Sequence, residues 1–270
     1  MDTMPKVAAI HDMSGYGKCS LTVALPVLSV MGAQCCPVAA AYLSASTQYP
    51  GFTFCDMTSQ MRPVLTHWKA LGLTFDAIYS GFLGSEEQMD IVLYAKELFP
   101  SAMLVVDPVM GDNGQVYKTY TARMCENMTR LALGADVIVP NLTEAAIILG
   151  KPYSEAPADG QSALRWLDAL SGGKRRVILT GLRFSEGNIG YGWQDSASRG
   201  TAQLPFYGHC YHGTGDIFAS VAVGSLLQGD TLARAAERAA LFVGKCAEVT
   251  FKAGDEPHGG VRFEELLKQL

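Results

Sequence analysis

The chain has no Cys-x-x-Cys pair, no extended block of lysine and arginine, no internal repeat and no low-complexity stretch. Each absence removes a class of protein. The seven cysteines, at 19, 35, 36, 55, 125, 210 and 246, are odd in number and scattered through apolar segments. That pattern excludes a disulfide framework or zinc site and predicts reduced, buried thiols in a cytoplasmic protein. Charge is scarce, at 17% of residues with a formal net of -5, so neither nucleic acid nor a membrane surface is an expected partner, and a small molecule is. Lys6, His11, Asp12 and Lys18 break up the N-terminal region and leave no apolar core for a signal peptide. Between Cys19 and Cys55 there is no charged residue, which could imitate a membrane span. Pro26, Gly32, Gln34, Pro37, Gln48 and Pro50 cut that run into pieces shorter than the ~20 residues a span needs. It reads as a buried helix, a buried strand and a loop.

What is present is a regular alternation. With 49% hydrophobic residues over 270 positions the chain can bury a full core. Strands are expected at Lys6–Ile10, Cys36–Tyr42, Asp76–Tyr79, Met103–Val106, Asp136–Val139 and Val177–Leu179. Between and after them, helical spacing is expected over Ser20–Met31, Met57–Leu71, Glu86–Phe99, Thr121–Leu133, a short helix capped by Thr143, Gln161–Leu170, Ile217–Leu227, Leu232–Thr250 and a terminal helix from Arg262. The stretch from Asn188 to Tyr207 alternates polar and apolar residues, as an antiparallel pair at a sheet edge does. The pattern predicts one α/β domain over 1–270, doubly wound around a mostly parallel sheet, with helices on both faces and a small antiparallel edge. In such sheets ligands bind beyond the C-terminal strand ends. Asp12, Thr47, Gly81, Asp107, Asn141, Glu144 and Thr180 all fall there.

The most informative stretch is Gly213-Thr214-Gly215-Asp216, a glycine turn that opens into an apolar helix. Glycines let a backbone approach a ligand closely, and a helix N-terminus attracts an anion. Asp216, in the first turn, could cap free N–H groups or take a proton from an attacking hydroxyl. His212 beside it reads as a local hydrogen-bonding residue.

Five short motifs in one order resemble the ribokinase superfamily of small-molecule kinases, and within it the pyridoxal kinases. They are Ser44-x-Ser46-Thr47-Gln48-Tyr49, Ser80-Gly81-Phe82-Leu83-Gly84-Ser85, Asp107-Pro108-Val109-Met110-Gly111, Pro140-Asn141-x-x-Glu144 and the Gly213–Asp216 turn. The resemblance implies ATP-dependent phosphorylation of the hydroxymethyl group of pyridoxal, pyridoxamine or pyridoxine. It also implies Mg²⁺, leaves open a monovalent cation such as K⁺, and suggests a homodimer. By it, Gly213, Thr214 and Gly215 form the anion hole and Asp216 is the base. Asp107 and Glu144 serve Mg²⁺, Glu144 through its water shell. Asp107, Tyr117, Asn141, Glu144, Thr180 and Thr214 lie on the ATP side, and the Pro257–Val261 turn near the adenine. Asp12, Tyr16, Thr47 and Phe82 lie on the vitamin side. This chain departs from the family's common pattern at Asp12, where serine is usual, and at Phe82, where many members have tyrosine. Asp12 is expected to favour a cationic ring nitrogen or ammonium. Hydroxymethylpyrimidine kinase and a non-catalytic pyridoxal-phosphate binder are the alternatives.

Overall fold

The computed structural model describes residues 4–270. In chain order the elements are β1 (Lys6–Ser14), α1 (Leu21–Val30), β2 (Gln34–Leu43), β3 (Phe54–Asp56), α2 (Thr58–Ala70), β4 (Ala77–Ser80), α3 (Glu86–Leu98), β5 (Met103–Val106), β6 (Gly111–Asp112), β7 (Gln115–Val116), α4 (Ala122–Leu133), β8 (Val137–Ile138), α5 (Leu142–Leu149), α6 (Gly160–Ser171), β9 (Arg176–Leu182), β10 (Asn188–Gln194), β11 (Arg199–Pro205), α7 (Thr214–Leu227) and α8 (Leu232–Ala253). Nine strands form one sheet in the order β11-β10-β9-β8-β5-β4-β1-β2-β3, and β6 pairs with β7 in a small hairpin. From β9 across to β2 every pairing is parallel; β10, β11 and β3 are antiparallel. The order reverses at β1, which pairs with β2 on one side and β4 on the other. That reversal opens a crevice beyond their C-terminal ends.

The central strands are apolar on both faces because both are covered. Ala8, Ile10, Ile78, Leu104 and Val106 face a layer containing Met61 and Leu65 of α2, Met89 of α3, Met124 of α4 and Trp166 of α6. Val7, Ala77, Tyr79, Val105 and Ile178 face a layer containing Leu28 of α1, Ile217 and Val221 of α7, and Phe242 of α8. Truncating such a fully buried side chain, Leu28→Ala for example, costs about 2–5 kcal/mol. Helix α7 is apolar nearly all round because it is enclosed by α1 and α8. Gly224 lets it approach α1 so closely that a Cβ there would press on the Met31 thioether.

The structure corrects several expectations. Asn141, not Thr143, caps α5: its side chain accepts from the Thr143 and Glu144 N–H groups while Glu144 returns a bond to the Asn141 N–H. Thr143 Oγ1 instead accepts from Gly114 N at 2.8 Å, tying the β6–β7 hairpin to α5. Helix α7 begins three residues earlier than its apolar run, at Thr214. The expected terminal helix is only a 3-10 segment, Glu264–Gln269. Strand β3 and the β6–β7 hairpin were not foreseen. The thiols are also not uniformly buried, since Cys55 and Cys210 are exposed.

Candidate active site

A cleft of about 1280 Å³ runs along the C-terminal strand ends, from Thr47 and Phe82 on one side to Thr180 and Phe206 on the other. Its floor is the turn before α7. Gly213 adopts φ +76°, a conformation that favours glycine, and a Cβ there would collide with the Lys18 carbonyl oxygen. Gly215 is different: a Cβ would meet nothing within 4 Å. The space over Gly215 is open and faces amides at a helix N-terminus, the local geometry of an anion cradle. Thr214 Oγ1 donates to the Tyr211 carbonyl at 2.9 Å and fixes the turn from below.

Five acidic side chains line this cleft, Asp12, Asp107, Asp112, Glu144 and Asp216, and four of them, Asp12, Asp107, Glu144 and Asp216, are raised above their ordinary values. Asp216, in the first turn of α7, is pushed up to about 7 by burial and then by the charge of Asp12, against the bonding of the Ser20 backbone. Asp107, 7% exposed at the end of β5, is held well above the usual carboxylate range by burial and by Asp216. Glu144 is raised by burial and then by Asp107. Asp12 is raised mainly by burial, although the hydroxyls of Ser20 and Ser14 donate to it at 2.6 and 3.2 Å. Among the described residues none of the four is in an ion pair. Asp12, Asp107 and Glu144 are buried and Asp216 is half-buried; such a row of mutually repelling carboxylates with no cationic partner is stabilised by a bound cation. Among the described residues there is no converging set of three or more His, Cys, Asp or Glu side chains. Asp107 and Glu144 are the acidic pair that would hold Mg²⁺, an ion that takes few protein carboxylates and keeps its waters. The oxygens of Glu144 are already engaged by the N–H groups of Met110 (3.3 Å) and Asn141 (2.8 Å), leaving Asp107 the freer of the two candidate metal carboxylates.

The remaining expected residues fall as follows. Asn141 Nδ2 donates to the Gly111 carbonyl of β6 at 2.9 Å, and the Asn141 backbone forms a parallel bridge to Thr180 of β9, so the residue braces the β6–β7 hairpin against β9. Tyr117 N donates to the Met110 carbonyl at 2.9 Å, folding the hairpin loop along the cleft. Thr47 and Phe82 line the opposite wall, and Phe82 packs near Tyr120 with ring centroids 6.0 Å apart. Tyr16 is the exception. It is 64% exposed, lies outside the cleft lining and stacks edge-on against Tyr49 at 5.1 Å. Tyr49 in turn meets His258 at 5.4 Å, and Pro257 and His258 line the same cleft as Thr180. Sequence reasoning missed Ser14, Ser20, Phe52, Arg183 and Phe206 in the lining. The glycine loop at Gly15 and Gly17 was the available signal for the two serines; the last three carry none.

This strand order, with a helix starting at a glycine turn on the floor of the crevice, is the ribokinase-like fold of small-molecule kinases. The chain belongs to the phosphomethylpyrimidine kinase family, whose profile matches residues 59–262. A Bacteroides thetaiotaomicron protein described as a phosphomethylpyrimidine kinase, crystallised with pyridoxal, is 39% identical with a TM-score of 0.92, over 99% of this chain and 96% of that one. Pyridoxal kinase from Lactobacillus plantarum is 30% identical with a TM-score of 0.91, over 99% and 96%. The chloroplastic thiamine biosynthetic bifunctional enzyme of Arabidopsis thaliana is 25% identical over 250 residues, 89% of this chain, and the chain spans only 46% of that enzyme's length. Among the described residues no helix is long and apolar enough to cross a membrane.

Proposed function

We propose that the chain, acting as one domain, transfers the γ-phosphoryl group of ATP to the hydroxymethyl group of pyridoxal and its vitamers. The observation that carries this reading is Asp216, a carboxyl poised near 7 beside an open anion cradle. The substrate hydroxyl oxygen bonds to the γ-phosphorus as the bond to the β,γ-bridging oxygen breaks. The hydroxyl proton passes to Asp216 and ADP leaves with the bridging electron pair. A base titrating near the working pH is well matched to that transfer. The amides around Gly213, Thr214 and Gly215 take up charge on the phosphoryl oxygens. Mg²⁺, held by Asp107 and through water by Glu144, would neutralise phosphate charge when bound. Asn141, Thr180, Thr214 and Tyr117 bound the nucleotide side.

On the vitamin side Thr47 and Phe82 form the wall for the flat ring, and Asp12 offers an acceptor to a protonated ring nitrogen or an ammonium. Pyridoxal in the crystals of the 39%-identical neighbour supports this choice. Hydroxymethylpyrimidine is the second reading, favoured by the family profile, because it too is a flat heteroaromatic with a CH₂OH group. Parallel kcat/KM measurements with pyridoxal, pyridoxamine, pyridoxine and hydroxymethylpyrimidine decide between them. Higher efficiency with the B6 vitamers is expected; turnover of hydroxymethylpyrimidine alone would assign the second reading. Asp12→Ser is expected to cost pyridoxamine most, and an unchanged order of vitamers would remove Asp12 from the specificity argument.

A further inference from the structure

Lys18 reaches the catalytic turn with one atom and the C-terminal segment with another. Its carbonyl oxygen lies directly against Gly213, where it excludes any Cβ. Its ammonium points the other way, donating to the Val261 carbonyl at 3.0 Å and to Glu264 Oε2 at 2.9 Å. The segment it grips is itself anchored. Val261 is fully buried and Phe263 nearly so, Arg262 holds Asp255 through two bonds of 2.6 and 2.9 Å, and Arg262 N donates to Thr250 of α8 at 2.8 Å. The same segment also touches the turn. His212 N donates to the Pro257 carbonyl at 3.2 Å, and a Cβ on Gly260 would lie 3.0 Å from Lys18 Cβ and 3.2 Å from the His212 carbonyl oxygen. By contrast, the chain just upstream of Lys18 contains Gly15 and Gly17, the latter at φ +118°, and has little stiffness of its own.

We propose that Lys18 is a positioning residue for phosphoryl transfer, clipping the Val261–Glu264 segment to the floor of the Gly213–Asp216 turn so that the amides of the turn hold their aim. This rests on the reading of that turn as a phosphate cradle. The Lys18–Glu264 ion pair is partly exposed, at 31% and 51%, and such pairs add little to global stability. The effect of the clip is therefore local. A displacement of about 1 Å in a catalytic arrangement is enough to cost ~10²-fold in rate.

The test uses the full chain, with amide exchange followed by NMR alongside steady-state kinetics. In Lys18→Met the His212 and Ile217 amides, bonded to Pro257 and Gly213, are expected to exchange at least ~10-fold faster while mid-helix Val221 and Val223 keep wild-type rates. With pyridoxal, kcat should fall by ~10-fold or more and KM stay within about twofold, the signature of an interaction made in the transition state. Lys18→Arg, which keeps a cationic donor, should recover most of both. Glu264→Gln retains the carbonyl bond and should show the same pattern more weakly, which covers the case of a poorly folding Lys18→Met. Unchanged exchange at His212 and Ile217 in these variants would overturn the proposal, as would faster exchange with unaltered kcat. A wild-type chain that phosphorylates none of the candidates would remove the kinase reading, and the exchange rates would still decide whether Lys18 fixes the turn.

Discussion

Asp12 lies close enough to Asp216 that its charge adds to burial in holding the Asp216 carboxyl up to about 7. The hydroxyls of Ser20 and Ser14 hold Asp12 in place. The residue expected to meet the vitamin therefore also tunes the base. Activity should depend on pH accordingly: kcat/KM rises through about pH 7 as Asp216 loses its proton, and in Asp12→Asn, with the like charge gone, the rising limb moves to lower pH. A pH–rate profile of both proteins checks this, and an identical limb would contradict it.

The same shift fixes the sign of a stability effect. The Asp216 carboxyl has an ordinary value of 3.8 and a folded-state value of about 7, so the folded chain holds that proton more tightly than the unfolded chain. The resulting stability is fully present below about pH 3.8 and is lost as pH rises through 7. Asp216→Asn cannot ionise, and should be more stable than wild type at pH 8 by up to about 4 kcal/mol. Solvent access at the cleft wall reduces that bound. Near pH 4 the two should be alike. Urea unfolding at both pH values measures the difference.

Two glycines of one turn should fail in different ways. Gly213→Ala forces a side chain against the Lys18 carbonyl at φ +76°, and should lower stability and activity together. Gly215→Ala puts a methyl into open space near the start of α7. It should melt no lower than wild type yet lose ~10²-fold or more in kcat through the obstructed cradle. Thermal unfolding and turnover of the pair separate the two; a Gly215→Ala enzyme of normal activity would argue against the cradle.

Thiol accessibility gives a check that does not involve catalysis. Cys55 and Cys210 are exposed, whereas Cys19, Cys125 and Cys246 are buried, and burial pushes the Cys19 and Cys246 thiols up to about 12. Alkylation read by mass spectrometry should label Cys55 and Cys210 first and leave the three buried thiols until unfolding.

The parts of the fold that could be read from the sequence are those written in apolar periodicity. The runs at Met103–Val106 and Asp136–Val139 give strands whose polar followers, Asp107 and Asn141, had to lie at the ligand-binding edge. Side-chain direction in loops is not written that way. Tyr16 sits beside Gly17 at φ +118° and turns outward to Tyr49, a tertiary contact that no local pattern announces. The cap of α5 was available, because Asn141 followed three residues later by Glu144 is a capping-box spacing, but the adjacent Thr143 is an equally good cap by type. The exposure of Cys55 follows from β3, a three-residue edge strand too short to show alternation.

The most direct test of the account is the formation of pyridoxal 5′-phosphate from pyridoxal and ATP by the wild-type chain and by Asp216→Ala, at saturating Mg²⁺. The account predicts steady turnover by the wild type and a loss of ~10²-fold or more in kcat for Asp216→Ala, with the fold retained. Turnover by Asp216→Ala within a fewfold of wild type would contradict the assignment of the base, and no product from the wild type would contradict the assignment of the vitamin as substrate.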